Sequence, residues 1–577
     1  MVVKKKLIKP KKNTSKNEGN SIKTKLKGRA LLDNPLLNKG TAFNEKERDL
    51  FDLHGRLPVH VESIESQLMR VHRQFQEKDN NIQKNIFLNA LHDVNRTLFY
   101  KYASLHIDEV LPIVYTPTVG DAVESYSLEF RRPSGIYLSY QEQDKMDKIL
   151  AQVAKEKEID FIIVTDGEAV LGIGDWGIGG MDISIGKLMV YIICSGINPA
   201  RVLPVQLDVG TNNQKLLDNP LYLGMNTPRV TGKEYDQFIG KFVKSVKKHF
   251  LNVYLHWEDF GRDHARSILE RYRNDLCTFN DDMQGTGIVA TANVISAIEA
   301  TKTKYSDHVV VMFGAGTAGV GIMDQILDQF IASGLSEAQA RKRFFIIDRT
   351  GLVVDDMQNL PYFQIPYARK RSEVTKWDVQ DQSNISLLDV VKNAKATILI
   401  GCSTVKDAFN KPIVEAMAKN IKRPMIMPLS NPNSHCEAEP ENLIKWTDAR
   451  AIIAAGSPFD PVEYKGKTYE VSQANNAFIF PGLGLGAIAV KASKMSDGMI
   501  RAACHTLSKF SPLRKNKDAP ILPPIHDAVL VSEAAAIAVA KEAIKEGLSC
   551  INAKEKDAER LVKEAQWKPE YQSLEKG

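Results

Sequence analysis

The sequence predicts a protein of the α/β class, with a helical N-terminal region followed by two series of alternating strands and helices. Three observations support this prediction. Apolar residues recur at helical spacing within residues 30–150, short apolar runs later in the chain end at glycine or another turn residue, and helical stretches separate these runs. Strands that alternate with helices are typical of parallel sheets covered by helices.

Length and composition limit the classes of protein to consider. A chain of 577 residues is too long for one hydrophobic core, so we expect two or three domains. We find no run of 18 apolar residues that would predict a transmembrane helix. The six cysteines are widely spaced and form no CxxC pair, which favours reduced thiols in a cytoplasmic protein over a disulfide framework.

The positive charge of the chain is concentrated at its N-terminus. Residues 1–29 contain ten lysines and one arginine against one glutamate, whereas the whole chain carries a formal charge of +6. The remainder is therefore slightly acidic. Residues 1–28 have no apolar core of a signal peptide, and we expect a disordered, solvated basic tail. Loose contact of this tail with nucleic acid or a membrane is the alternative, but we expect neither as a partner.

The first α/β series follows the N-terminal helices. "DFIIVTDG" (160–167), "RVLPVQLDVGT" (201–211) and "NVYLHWEDFG" (252–261) are short apolar runs that predict buried strands. We assign residues 29–284 to one domain that includes the helical region. Residues 285–545 then form a second domain with its own strands and returning helices, and residues 546–577 a helical C-terminal tail.

The second series begins with a strand, a glycine turn and a helix in "HVVVMFGAGTAGVGIMDQIL" (308–327). Gly314, Gly316 and Gly319 form the pattern G-x-G-x-x-G, which in this context predicts a Rossmann-type domain that binds a dinucleotide. A purely structural turn is the alternative. The next strand ends at Asp348, whose carboxylate would bind ribose hydroxyls and favour NAD, although Arg349 beside it would tolerate the phosphate of NADP.

Two pairs of acidic residues suggest a metal site. Glu258 and Asp259 follow one predicted strand, and Asp281 and Asp282 lie in "TFNDDMQGT" (278–286). Carboxylates at the carboxyl ends of strands face the crevice where α/β folds bind ligands, and two such pairs would repel without a cation. Mg²⁺ or Mn²⁺ prefers such oxygen ligands. Exposed loops or helix caps are the alternative reading of each pair.

A glycine-rich segment precedes a candidate base. Seven glycines lie between residues 167 and 186, and Lys187 follows them. So many glycines allow a ligand to approach the backbone closely. Beside a bound cation, Lys187 would have a lowered pKa and act as a base, whereas an isolated lysine would simply lie at the surface.

Together these motifs resemble the malic enzyme family, over roughly residues 30–575. The matching segments occur in the family's order and include "LPIVYTPTVG" (111–120), "VTDGE" (164–168), "LDVGTNN" (207–213), "FNDDMQGT" (279–286), "GAGTAG" (314–319), "PLSNP" (428–432), "AAGSPFDPV" (454–462) and "NNAFIFPG" (475–482). The resemblance implies NAD-dependent decarboxylation of malate to pyruvate and CO₂ with a divalent metal, Mn²⁺ or Mg²⁺. It also implies a homo-oligomer, either a dimer or a tetramer.

The resemblance also implies roles for individual residues. Glu258, Asp259 and Asp282 would hold the metal, and Asp281 would tune Lys187 as the catalytic base. Tyr115 would protonate the enol of pyruvate, although its position before Pro117 also fits a turn residue. Asn431 and Asn475 would bind the substrate as amides, with Asx-turns as the alternative.

The chain departs from the family at one position that bears on the substrate. Most malic enzymes have arginine where this chain has Ala169, and that arginine clamps a malate carboxylate. The segments "GDWGIGGMDISIGKLMVY" (174–191) and "YLHWEDFGR" (254–262) are more similar to the malolactic branch, whose members convert malate to lactate. Lactate is therefore an alternative product, and an inactive family member that serves as a binding protein is a more distant alternative.

Overall fold

The computed structural model describes residues 21–130, 132–170 and 172–577, apart from the side chain of Asp263. Its sheets are mainly parallel and flanked by helices, so the predicted α/β class is confirmed.

The helices of the described residues are, in chain order, α1 Gly28–Leu32, α2 Glu45–Leu50, α3 Ile64–Gln76, α4 Asn81–Val94, α5 Arg96–Leu105, α6 Ile107–Val114, α7 Thr118–Glu129, α8 Met146–Glu156, α9 Gly180–Ser195, α10 Gln214–Leu217, α11 Gly232–His249, α12 Arg262–Tyr272, α13 Thr286–Thr301, α14 Thr317–Ala332, α15 Glu337–Arg341, α16 Arg371–Val374, α17 Leu387–Asn393, α18 Lys411–Asn420, α19 Pro440–Trp446, α20 Phe480–Ala489, α21 Asp497–Lys509, α22 Ala528–Lys545 and α23 Ala558–Ala565. The strands are β1 Ile22–Thr24, β2 Ile136–Ser139, β3 Phe161–Thr165, β4 Val202–Asp208, β5 Tyr254–Trp257, β6 Thr278–Asn280, β7 Val310–Phe313, β8 Phe344–Asp348, β9 Gly351–Leu352, β10 Ile398–Gly401, β11 Met425–Pro428, β12 Ile452–Ala455, β13 Val462–Tyr464, β14 Lys467–Tyr469, β15 Ser472–Gln473 and β16 Leu574–Lys576.

The chain forms two compact units. The smaller unit comprises residues 21–78, 87–102 and 569–577 of the described chain, and the larger comprises residues 79–86 and 103–568. These two units are defined by contacts in space. They do not test the predicted domain boundary between residues 284 and 285, which stays a prediction.

The smaller unit joins the two ends of the chain through a parallel pair of strands. Ile22 in β1 lies opposite Leu574 in β16. Leu574 packs into an apolar cluster with Leu31 and Phe43, and its backbone N–H donates to Glu47 Oε1 at 3.1 Å. The prediction of a disordered tail is therefore wrong for residues 22–28, because β1 has a partner and α1 begins at Gly28. Residues 1–20 of the predicted tail lie outside the described residues.

The predicted helical C-terminal tail needs a similar correction. Residues 546–577 contain the helix α23, but they end in strand β16 rather than in a helix. The sequence "SLEKG" has little apolar character to predict a strand, and β16 forms because β1 supplies a partner backbone.

The first sheet of the larger unit has five parallel strands in the order β2-β4-β3-β5-β6. All residues of β3 and β4 are buried, as expected for central strands of a parallel sheet that is covered on both faces. Helix α9 lies against β3 and β4. The segment Gly177–Ser195, which contains α9, is long and apolar enough to cross a membrane, but 89% of it is buried inside the protein, as expected of a core helix.

The second sheet has seven strands in the order β15-β12-β11-β10-β7-β8-β9, and only β9 runs antiparallel to its neighbour. After β7 the chain adds β8 on one side and later returns to add β10 on the other. The strand order therefore reverses at β7, and α/β sheets bind ligands outside the carboxyl ends of the strands at such a switch point.

Candidate active site

The acidic pairs lie at the carboxyl edge of the first sheet. Trp257 at the end of β5 lies opposite Asn280 at the end of β6. Because the two strands are parallel neighbours, the residues that follow them emerge side by side. The structure therefore brings Glu258 and Asp259 next to Asp281 and Asp282.

Three of these carboxylates form a set that suits a divalent cation. Oxygens of Glu258, Asp259 and Asp282 lie within 4.8 Å of one another, and the first two residues are buried. Burial and then the charge of Glu258 raise the pKa of Asp282 well above its ordinary value. Burial also raises the pKa of Glu258, to about 7. Carboxylate oxygens are the hard donors that Mg²⁺ and Mn²⁺ prefer, and a bound cation would relieve the repulsion between these three side chains.

Asp281 and Asp282 are the first two residues of a tight turn. Residues Asp281–Gly285 form a single π-helical turn, a feature that is frequent at functional sites. Asn280 caps this turn by accepting from the backbone N–H of Met283 at 3.0 Å. A Cβ at Gly285 would lie 1.8 Å from Asp281 Oδ1, so only glycine fits there.

Lys187 contacts one carboxylate of each acidic pair. Its side chain is 1% exposed, and Nζ lies 2.6 Å from both Glu258 Oε1 and Asp281 Oδ2. Burial alone would lower the pKa of Lys187, but the two carboxylates outweigh burial and hold it well above its ordinary value. This shift applies to Lys187 as the counter-charge of the acidic cluster without a bound cation, so the lowered pKa expected beside a cation stays a prediction.

Two aromatic rings enclose the Lys187 ammonium. Nζ lies 5.2 Å from the ring centroid of Tyr115 and 4.7 Å from that of Phe480. Tyr115 follows α6 and is buried, and burial raises the pKa of its hydroxyl well above the ordinary value. The structure thus brings Tyr115 and Lys187 together, as the family resemblance implies. Phe480 is an apolar residue in an apolar segment, so nothing in the sequence identified it as part of the site.

A buried histidine supports Glu258 from behind. His256 Nε2 lies 2.6 Å from Glu258 Oε2, and Nδ1 lies 2.8 Å from the Tyr191 hydroxyl. Burial lowers the pKa of His256 to about 3, so the ring is neutral. A neutral ring that donates from Nε2 to the carboxylate accepts at Nδ1 from Tyr191. Sequence reasoning missed His256, although residues two apart in an extended chain point to the same side, and His256 lies two residues before Glu258.

The two predicted substrate amides differ in their surroundings. Asn431 Oδ1 accepts from the Ser457 hydroxyl at 2.5 Å, and Asn475 Oδ1 accepts from the backbone N–H of Ala477 at 2.9 Å. Both residues line the cavity described below. The next residue, Asn476, reaches the acidic cluster, because its Nδ2 donates to Asp281 Oδ2 at 3.1 Å. Nothing in the sequence distinguishes Asn476 from its identical neighbour, Asn475.

The glycine turn lies between β7 and α14, as predicted. Gly314 has φ +105°, a value that favours glycine. A Cβ at Gly319 would lie 2.1 Å from the carbonyl oxygen of Gly314, so this glycine permits the close approach of helix and turn. Gly316 caps the N-terminus of α14, where backbone N–H groups favour a phosphate.

Asp348 is held firmly at the end of β8. Its Oδ1 accepts from the backbone N–H of Arg349 at 2.9 Å, and its Oδ2 accepts from Gln364 Nε2 at 2.7 Å. The same Gln364 nitrogen donates to the carbonyl of Ala315 at 2.7 Å, so Gln364 links Asp348 to the glycine turn. Sequence reasoning missed Gln364, which lies in a loop without a recognisable motif.

Another buried carboxylate organises the opposite half of the second sheet. Glu437 is fully buried and accepts from the backbone N–H and the hydroxyl of Ser403, both at 2.8 Å, and from the Ser430 hydroxyl at 2.6 Å. A Cβ at Gly401 would lie 2.5 Å from Glu437 Cδ, so glycine at the end of β10 admits this side chain. Glu437 therefore fixes the turns that follow β10 and β11.

All of the predicted site residues line one cavity of about 1870 Å³. It extends from Tyr115, Lys187 and the acidic cluster to the glycine turn and Asp348. This volume exceeds the roughly 300–1,000 Å³ of a typical small-ligand pocket and suits a dinucleotide together with a small substrate.

Comparisons with known proteins agree with this architecture. Residues 92–273 match the family model described as malic enzyme, N-terminal domain, and residues 283–544 match the model of the malic enzyme, NAD binding domain. The solved structure of the malic enzyme from Entamoeba histolytica covers 90% of this chain and 92% of its own, with a TM-score of 0.54 and 21% identity. That of the malic enzyme from Pyrococcus horikoshii covers 79% and 89%, with a TM-score of 0.53 and 23% identity. These two likenesses show the fold.

Sequence similarity to curated proteins is higher. The NAD-dependent malic enzyme 3 of Bacillus subtilis is 49% identical over 560 residues, which cover 97% of this chain and 98% of the relative. The NAD-dependent malic enzyme of Photorhabdus laumondii is 48% identical over 544 residues, which cover 94% of this chain and 96% of the relative. Because the matched residues include both halves of the site described above, the chain belongs to the malic enzyme family.

Proposed function

We propose that this protein oxidises L-malate with NAD and decarboxylates it to pyruvate and CO₂, with a divalent cation held by Glu258, Asp259 and Asp282. The observation that carries the proposal is the convergence of these three carboxylates beside the buried Lys187, in the same cavity as the glycine turn. The curated relatives are named NAD-dependent malic enzymes, which supports malate and NAD as the reactants.

The cation would serve as a Lewis acid on the C2 oxygen of malate, where it favours loss of the hydroxyl proton and stabilises the enolate after CO₂ leaves. The protein supplies the remaining functions. Glu258 is aimed at this position by His256, and Asp282 by the backbone N–H of Asp259 at 2.9 Å. Such support of metal ligands fixes their orientation before a ligand arrives.

Lys187 is the proposed base that takes the C2 hydroxyl proton when the hydride passes to NAD. A divalent cation on Glu258 and Asp282 would offset the negative charge that otherwise keeps this ammonium protonated, and it would so favour the neutral amine that a base requires. Its ammonium is shared between Glu258 and Asp281 at equal distances of 2.6 Å, so Asp281, which is not one of the proposed metal ligands, helps to hold the side chain in place. The aromatic rings of Tyr115 and Phe480 exclude water from the amine. Tyr115 is the proposed acid that protonates C3 of the enol, with Lys187 as the source of the replacement proton.

The residues at the other end of the cavity support NAD over NADP. The Asp348 carboxylate would accept hydrogen bonds from the ribose hydroxyls and would repel a 2′-phosphate. Because Gln364 and the Arg349 backbone already orient both of its oxygens, Asp348 is held in place before the cofactor binds. Arg349 is the residue through which NADP would still gain some affinity.

A second candidate product is lactate, and the observation that favours it is Ala169. Loss of the family arginine, together with the similarity of residues 174–191 and 254–262 to the malolactic branch, suggests a change at the substrate carboxylate. In that reaction the hydride returns to pyruvate, so malate and one proton give lactate and CO₂ without net reduction of NAD.

One assay separates these candidates. Purified protein is incubated with malate, NAD and Mn²⁺ while absorbance at 340 nm is recorded, and pyruvate and lactate are quantified at the end. We expect NADH and pyruvate in equal amounts. Lactate without NADH would favour the malolactic reaction, and the absence of any product would overturn the proposed function.

A further inference from the structure

We propose that Arg262 binds the C1 carboxylate of malate. This inference rests on the proposed function, because it names a residue that recognises the substrate of the same site. It begins from the charge of the cavity. Malate carries two negative charges, and seven carboxyl side chains already line the cavity: Asp121, Glu124, Glu258, Asp259, Asp281, Asp282 and Asp348. A dianion needs a cation there besides the metal.

Few cations are available for this task. Among the described residues that line the cavity, Lys187, Arg262 and Arg349 carry a positive charge. Lys187 is held by two carboxylates. Arg349 adjoins Asp348 at the end of β8, on the dinucleotide side of the glycine turn. Arg262 remains as the cation that an incoming carboxylate can engage.

The side chain of Arg262 has no evident structural role in the fold. It is exposed, and no described residue is seen to form an ion pair or a side-chain hydrogen bond with it. Another arginine of the neighbourhood, Arg229, is by contrast buried and bound to Asp175 at 2.7 Å, where it anchors the glycine-rich segment. A cation at the first residue of a helix is also unfavourable to the helix dipole, so the stability of α12 does not explain Arg262.

The position of Arg262 explains how the chain functions with Ala169. The backbone N–H of Ala169 donates to the carbonyl of Asp259 at 3.1 Å. Close by, a Cβ at Gly261 would lie 2.1 Å from Glu168 Oε2, so the two segments are in direct contact. Residues 169 and 262 therefore lie on adjoining parts of the same cavity wall, and an arginine from either segment would serve the same region.

The chemistry selects the C1 carboxylate. The C4 carboxylate loses its charge as it leaves as CO₂, so a cation bound there would stabilise malate more than the transition state and slow the reaction. The C1 carboxylate keeps its charge throughout and remains in pyruvate. A guanidinium on C1 therefore orients the substrate without opposing decarboxylation, and it should bind the product as well.

The test compares Arg262→Gln and Arg262→Lys with the parent, in the presence of Mn²⁺. A lost charge-assisted pair should raise the malate KM of Arg262→Gln by roughly 10- to 100-fold, with NAD KM within about twofold. The inhibition constant of pyruvate should rise in parallel with the malate KM. Arg262→Lys should recover part of the loss, because it restores the charge without the bidentate geometry. The melting temperature should not change, since Arg262 is exposed.

Arg271→Gln is the matched control. Arg271 lies on the same helix, and its ion pair with Asp236 is on the exposed surface. This variant should behave as the parent in every measurement. A general effect of charge on α12 would instead alter both variants equally and overturn the proposal.

A double substitution gives a sharper test. In the parent, Ala169→Arg should not lower the malate KM, because it places a second arginine beside Arg262. In the Arg262→Gln background the same Ala169→Arg change should lower it, and this dependence on the background is the signature of a shared ligand.

Three outcomes would overturn the inference. They are an unchanged malate KM in Arg262→Gln, a rise in NAD KM instead, which would assign Arg262 to the cofactor phosphates, and an unchanged pyruvate inhibition constant. The first of these in an active parent would refute only the role of Arg262. A parent that does not turn over malate would refute the proposed function itself.

Discussion

Replacing Lys187 with methionine should destabilise the protein as well as inactivate it. The side chain is 1% exposed and contacts two carboxylates at 2.6 Å. Coulomb's law gives roughly 6 kcal/mol for each contact at an effective dielectric constant of about 20, before the cost of burying the charges. Measured losses on breaking a buried ion pair are about 3–5 kcal/mol, because the remaining charge is left uncompensated. We expect a loss in this range for Lys187→Met without metal.

The assay is urea unfolding of parent and variant, first with EDTA and then with saturating Mn²⁺. Because a divalent cation supplies positive charge to the same carboxylates, Mn²⁺ should stabilise the variant more than the parent. Turnover should remain about 10²- to 10⁴-fold below that of the parent, the usual contribution of a positioned acid–base group.

A surface lysine provides the control. Lys241 pairs with Asp144 at 3.6 Å, and both side chains are well exposed, so Lys241→Met should change the free energy of unfolding by less than about 1 kcal/mol. If Lys187→Met unfolds at the same urea concentration as the parent in EDTA, Lys187 does not compensate the acidic cluster and the electrostatic reasoning fails.

Three further predictions concern the metal, the turns that follow β10 and β11, and the N-terminus. Asp282→Asn should weaken Mn²⁺ binding, because a neutral amide replaces a charged ligand; an unchanged affinity in a calorimetric titration would remove Asp282 from the metal ligands. Glu437→Gln should raise the NAD KM by roughly tenfold, since its N–H₂ would face the backbone N–H of Ser430, which donates to Glu437 Oε2; an unchanged value would show that these turns hold without the carboxylate. Deleting residues 2–20 should leave the melting temperature unchanged, whereas deleting residues 2–28 should lower it, because only the longer deletion removes β1; equal effects in differential scanning calorimetry would contradict this.

Much of the larger unit could be predicted from local sequence patterns. The runs at 160–167, 201–211 and 252–261 contain β3, β4 and β5, because fully buried parallel strands need apolar residues on both faces. The glycine turn was predictable because a dinucleotide fold demands glycine at fixed spacing. The acidic pairs were predictable as neighbours because parallel strands end at the same edge.

The features that escaped prediction depend on contacts between distant segments. Strands β1 and β16 pair across almost the whole chain, and neither has a marked apolar pattern. His256 and Glu437 are ordinary polar residues in the sequence, and only burial beside Glu258 or the Ser403 turn gives them a role. Spacing in the sequence also does not reveal that Glu258 and Asp281 would both contact the Lys187 ammonium.

The pairing of β1 with β16 has a consequence for synthesis of the protein. Ile22 is translated before any residue of the larger unit, whereas its partner Leu574 is translated only after all of them. Domains generally fold as they are made, so the larger unit has time to fold during translation. Until Leu574 arrives, the backbone of β1 remains an unpaired edge that invites association with other chains. Premature termination upstream of β16 would therefore leave this edge open, and such chains should be recognised by chaperones and proteases even when residues 103–568 are intact.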